Sequence, residues 1–172
     1  RGLVHAVLRY LMYPPFPIEV VYDQKKTILK SANPILDNPL ADIAGIVSIP
    51  IADEELEGFI WLYNGKYKRM KVESKLYQQN FLVAEGDECN GLKPEWVQYM
   101  SCRLHLKKRF LTIPMNRTGL VRDDKFQQLR EKIGQKIVKY FNKSPLNLNL
   151  YLSDGQKSVL TEYESEMELS LI

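Results

Sequence analysis

The stretch from Asp123 to Phe141 constrains this chain more than any other. Phe126, Leu129, Ile133, Ile137 and the pair Tyr140-Phe141 recur at helical spacing and form one apolar stripe. Asp123 and Asp124 stand where a helix dipole is positive, and Lys136, Lys139 and Lys143 where it is negative, so charge and periodicity agree on a helix over 123–141. Such a helix owes most of its stability to what its apolar face packs on, so the rest of the chain must supply a second layer.

Most of the remaining signals are β signals. Residues 16–22 are rich in β-branched side chains; 23–26 can turn and 27–30 return, which predicts a short hairpin. After a Pro and Asn loop over 31–38, residues 43–51 and 58–63 read as two strands joined by the acidic run 52–57. Asn64-Gly65 tolerates positive φ at both residues and predicts a hairpin in which 67–72 pairs with 58–63. The stretch 73–91 reads as a loop with one strand at 81–84. Pro94 can open a short helix, because its missing amide costs nothing at a first helical position, with Trp96, Val97, Tyr99 and Met100 as apolar surface. Residues 104–115 read as extended chain. Leu146, Leu148, Leu150 and Leu152 alternate strictly, and Asp154-Gly155 can turn the chain into a second run ending at Met167, Leu169 and Leu171, a terminal hairpin, although 159–168 also suits a helix. At the other end Leu3, Val4, Val7, Leu8, Leu11 and Met12 predict a first helix that Pro14-Pro15 stops.

The expected fold class is therefore α+β: a mostly antiparallel sheet packed in two layers against the long helix and the first, N-terminal one. Residues 1–145 form that domain and 146–172 a Leu-rich hairpin with an acidic end. A chain of 172 residues is long enough for a core without staples, and 45% apolar with 26% charged residues excludes disordered and collagenous readings. Two cysteines, Cys89 and Cys102, are too few for a disulfide framework, and no apolar run is long enough to span a bilayer. The chain opens on Arg1 and passes straight into an amphipathic pattern, as expected of a piece of a longer polypeptide. Its net charge of +3 hides an asymmetry: residues 103–143 are strongly basic and 153–172 acidic.

Several chemistries can be set against simpler readings. Cys102-x-x-His105 with Cys89 and His5 has ligand-like elements but lacks a second close pair, so two buried thiols and two ordinary histidines are the better expectation, and no metal is assigned. No nucleophile elbow and no Cys, His and Asn set is present. Asp53, Glu54, Glu55 and Glu57 read most simply as a solvated turn. Asn116-Arg117-Thr118 and Asn142-Lys143-Ser144 match the glycosylation tripeptide, which occurs by chance and is no evidence of secretion. No Gly-rich phosphate loop appears, so any contact with a phosphate would be made by a side chain.

One stretch rises above this background. Leu92-Lys93-Pro94-Glu95-Trp96-Val97-Gln98-Tyr99-Met100, then Phe110-Leu111-Thr112-Ile113-Pro114-Met115-Asn116-Arg117, then the helix to Phe141, resembles the middle domain of the heat-shock ninety chaperone family. Upstream, Ile43-Ala44-Gly45-Ile46-Val47-Ser48-Ile49-Pro50, Gly58-Phe59-Ile60-Trp61-Leu62 and Asn64-Gly65 look like the paired strands that open this domain and the related transducer domains of gyrase-type and mismatch-repair ATPases.

The resemblance implies a non-catalytic transducer. Such a domain follows a nucleotide-binding domain in the same polypeptide, presents a basic side chain to the γ-phosphate, and couples hydrolysis to movement or partner binding. Asn116 matches the family asparagine, which supports the phosphate loop. The family arginine lies three residues after that asparagine and precedes a glutamate. Here Arg117 is adjacent to it and Gly119-Leu120 follows, so Arg117 is the first candidate for the γ-phosphate contact and Arg122 the second. No cofactor is expected on the chain itself; ATP and magnesium are implied for the parent, as are protein clients, a homodimer through the parent and a cytoplasmic location. The alternatives are a nucleic-acid or anionic-partner module using the basic 103–143 segment, which lacks the signature of a known nucleic-acid fold, and a structural interaction domain using the Leu-rich hairpin.

Overall fold

A computed structural model of the chain describes residues 2, 10, 18–29, 38–65, 72–116, 119–143 and 148–153. The expected first helix lies outside these residues except for Gly2 and Tyr10, both helical. The β-branched run forms β1 (Ile18–Tyr22), paired antiparallel with β2 (Lys25–Leu29) as a separate two-stranded sheet. Its turn is tighter than the sequence suggests. Asp23 and Gln24 alone make it, with φ of 49° and 61°, the two-residue geometry whose twist matches that of the strands.

The main sheet has five strands: β3 (Ile46–Ala52), β4 (Leu56–Tyr63), β5 (Lys75–Gln78), β6 (Phe81–Glu85) and β7 (Tyr99–Leu106), in the order β3-β4-β7-β5-β6. All neighbours are antiparallel except β5 and β7, which run parallel. The fold class is thus α+β, with a mixed sheet and, on one face of it, α1 (Asp124–Lys143). The stripe read from the sequence is the contact: Phe126, Leu129, Ile133, Ile137 and Phe141 are buried in one core with Val47, Ile49 and Ile51 of β3, Leu56, Ile60 and Leu62 of β4, and Met100, Cys102, Leu104 and Leu106 of β7. Strand alternation sends Trp61 and Tyr63 to the opposite face, where they bury with Leu40 and Ile46. Asn38, at the end of the Pro and Asn loop, ties that face down: its Oδ1 accepts from the Trp61 indole at 2.9 Å and from the Leu40 amide at 3.1 Å.

Four local expectations are corrected. β4 is bordered along its length by β3 and β7, so no free edge remains for 67–72, of which 67–71 lie outside the described residues. The stretch read as a loop with one strand holds two, β5 and β6, joined by Gln79 and Asn80 with φ of 49° and 69°. The short helix expected at Pro94 does not form. A 3-10 turn lies upstream at Gly86–Leu92, and the backbone beyond Pro94 bonds elsewhere: Gln98 N–H donates to Tyr151 O at 2.8 Å, Ser153 N–H to Trp96 O at 3.2 Å, and Val97 bridges to Leu152. Finally, Leu148–Tyr151 is a 3-10 turn rather than a strand, and Tyr151 and Leu152 join the main core; the rest of the expected terminal hairpin lies outside the described residues.

Candidate functional site

The residues singled out by the sequence lie on the connection between β7 and α1, residues 107–123. Its base is held from two sides. Gln78, the last residue of β5, is 3% exposed and devotes its whole amide to the connection. Its Oε1 accepts from the Phe110 and Leu111 amides at 3.0 and 2.7 Å, and its Nε2 donates to Leu111 O at 3.2 Å. The side chain thus imitates a strand neighbour, which is the condition for burying an amide without penalty. At the other end Asp123 is the helix cap: its Oδ1 accepts from the Phe126 amide at 3.1 Å and its Oδ2 from the Thr112 hydroxyl at 2.8 Å. These bonds, Thr112 first, hold the Asp123 carboxyl below the usual carboxylate range.

Between the two anchors the described chain is open at residues 113, 115 and 116, while Leu120, nearer α1, packs against the main core. Ile113 is exposed, Met115 is fully so, and Asn116 is exposed in a turn; Gly119, with φ +73°, has nothing within 4 Å of where a Cβ would stand. Arg117 lies outside the described residues. Arg122 is exposed at the foot of α1, its guanidinium carbon 5.9 Å from the centre of the Phe126 ring, a stacking distance. Beside this loop and along edge strand β6 runs a groove of about 410 Å3 lined by Phe81, Val83, Glu85, Glu88, Ile113 and Gly119, among others.

The acidic connection between β3 and β4 behaves differently from the solvated turn expected of it. Asp53 Oδ1 accepts from the Glu55 and Leu56 amides at 2.9 and 2.6 Å, and Asp53 Oδ2 pairs with Lys136 at 2.7 Å. Glu55 pairs with Lys132 at 2.6 Å, and Glu57 faces both Lys107 at 3.5 Å and His105 at 2.9 Å. Burial alone would raise the Asp53 carboxyl, but Lys136 and the two amides outweigh it and hold it far below its ordinary range. The basic segment and the acidic turn thus answer each other across the fold.

His105 is similarly committed. Its Nε2 accepts from the Asn80 amide at 3.2 Å, so the ring proton sits on Nδ1 and is donated to Glu57. Three residues apart on a strand, Cys102 and His105 point to opposite faces, so the spacing that suggested metal ligands separates them. Cys89 is buried in the same core as Cys102, and burial pushes its thiol well above the usual range. Among the described residues no group of three or more His, Cys, Asp or Glu is placed to hold a metal ion.

Sequence reasoning missed Gln78 and the Asp53–Lys136 pair. The second left a trace, since an Asp two and three residues before the amides it caps is an Asx turn signal. Gln78 left none, being one polar residue in a weakly patterned stretch. No family model matches the chain, and no curated protein matches it. No helix of the described residues is long and apolar enough to cross a membrane.

Proposed function

We propose that the chain is the transducer domain of a larger ATPase of the gyrase, heat-shock ninety, histidine kinase and mismatch-repair superfamily. In this reading it presents its β7–α1 loop to a nucleotide held by a preceding domain of the same polypeptide. The observation that carries the reading is the contrast within that loop: the base is bound at Gln78 and Asp123, while Ile113, Met115 and Asn116 face solvent. A guanidinium that stabilises charge on the γ-phosphate must stand on a firm support and still be able to enter and leave a neighbouring site. Arg117 is the residue assigned that task, with Asn116 beside it supporting the phosphate loop. The stacking of Arg122 on Phe126 favours leaving Arg122 as the second choice.

ATP and magnesium belong to the preceding domain in this reading, and the chain alone is not an enzyme. The groove beside the loop supports that division, because Glu85 and Glu88 in its wall repel a triphosphate. The rival reading, a nucleic-acid or anionic-partner module, is weakened by the ion pairs. Lys107, Arg130, Lys132 and Lys136 of the basic segment are turned to Glu57, Glu95, Glu55 and Asp53. A cytoplasmic location, protein clients and a homodimer formed through the parent follow from the same reading.

In the longer polypeptide, Arg117→Ala lowers ATP turnover by at least about tenfold and leaves nucleotide affinity and the stability of this domain unchanged. Unchanged turnover with Arg117→Ala but a loss with Arg122→Ala moves the role to Arg122. Unchanged turnover in both ends the transducer reading, as would micromolar ATP affinity of the 172-residue chain itself by calorimetry.

A further inference from the structure

We infer that Gln78 is a positioning residue for the candidate arginine loop, setting the place from which residues 113–122 reach a partner domain. The inference rests on the transducer reading above and deepens it. Gln78 ends β5, the strand that runs parallel to β7, so its side chain stands where β7 has just released the chain into the loop. The register brings Gln78 opposite Leu106, the last residue of β7, and the Gln79 amide then donates to Leu106 O at 2.9 Å. β5 has no further residues with which to continue the ladder. The Gln78 carboxamide continues it instead, accepting from two consecutive amides and donating to the carbonyl of Leu111.

Burial makes this arrangement discriminating. Gln78 and Leu111 are 3% and 2% exposed, so water cannot replace the lost partner when either is changed. Four residues further along the loop Met115 is fully exposed, so the clamp marks the last firm point before the tip on this side. On the other side the firm point is the Thr112–Asp123 bond at 2.8 Å, which ties the beginning of the loop to the start of α1. The loop is thus closed at its base by two such contacts, and on the α1 side Leu120 also packs against the main core. In the transducer reading, the residue that fixes the base on the sheet side therefore sets where the candidate loop begins, without touching nucleotide.

Two substitutions separate positioning from folding. Gln78→Met keeps the length and bulk and removes every side-chain hydrogen bond. Gln78→Glu keeps the oxygen that both amides donate to. In the 172-residue chain, Gln78→Met speeds hydrogen exchange of the Phe110 and Leu111 amides by at least about tenfold while leaving exchange of the α1 core amides unchanged, and Gln78→Glu retains most of the protection. In the longer polypeptide, Gln78→Met lowers kcat for ATP by about fivefold or more without changing nucleotide affinity, and Gln78→Glu recovers most of it. Unchanged exchange at Phe110 and Leu111 in Gln78→Met overturns the clamp. Faster exchange with unchanged kcat overturns the positioning role, and Arg117→Ala and Arg122→Ala then tell the two failures apart. If Arg117→Ala or Arg122→Ala still lowers turnover, the transducer reading stands and only the role of Gln78 falls; if neither does, that reading falls as well.

Discussion

The acidic connection between β3 and β4 and the basic-flanked connection between β7 and α1 both read in the sequence as polar chain facing water, and they are built in opposite ways. The first is three residues long, and its charges are drawn inward onto α1: Asp53 to Lys136 and Glu55 to Lys132, with Asp53 also capping two amides of its own turn. The second is bound at its base, with Leu120 against the main core, and exposes Ile113, Met115 and Asn116. A run of charge therefore does not show whether it is solvated. What decides is whether an oppositely charged face packs within reach, and here the lysines of α1 come to the acidic turn because the stripe on their helix is buried against β3 and β4.

Backbone substitutions should divide the two regions most sharply. Gly58, two residues into β4, has φ +133°, and a Cβ there would stand 1.9 Å from the carbonyl oxygen of Arg103 on β7. Gly58→Ala should destabilise by about 3 kcal/mol or more, since both the backbone conformation and the strand spacing oppose it. Gly119→Ala meets open space and only the strain of positive φ, a cost of about 1 kcal/mol. Chemical denaturation of both variants measures the contrast, and equal losses would erase it.

The next effect is that of Asp53. Asp53→Ala removes the acceptor of two amides and the partner of Lys136, and should cost about 1–2 kcal/mol. Its carboxyl is held below its unfolded value, so its contribution is complete above about pH 4 and fades as pH falls from there toward the depressed folded value. Asp53→Asn should therefore flatten the acid limb of the stability curve below about pH 4. An unaltered limb would show that the pair with Lys136 does not form in solution.

The smallest effect belongs to Glu55 and Lys132. Glu55 is well exposed, and although Lys132 lowers its carboxyl pKa, water and salt screen such a pair. Glu55→Gln should shift the thermal midpoint slightly at low ionic strength and not at all in molar salt. A salt-independent shift would mean that Glu55 holds the turn through something other than charge.

Legibility in the sequence differs from one element to the next. α1 was legible nearly to the residue because its evidence is local: a stripe at 3.6-residue spacing, a capping Asp123 and lysines in its last turns all lie within one window. The β1–β2 hairpin, β3 and most of β4 were legible for the same reason. β5 was not, since Lys75–Gln78 is four residues of unremarkable pattern made a strand by pairing with β7 on one side and β6 on the other. Asn64-Gly65 pointed to a partner for β4 whose place β7 takes, because two edges already filled outweigh a favourable turn.

The sequence by itself determined the fold class, the long helix and the position of the candidate loop, since periodicity, capping and turn chemistry act between residues a few positions apart. Only the tertiary structure decided which charges meet and what holds the loop. Lys132 and Glu55 are 77 positions apart, Gln78 and Leu111 are 33, and His105 and Glu57 are 48. A polar side chain carries no local mark of a partner at such separations. Its partner is set by strand order and helix packing, which bring distant backbone together before any single hydrogen bond or ion pair can form.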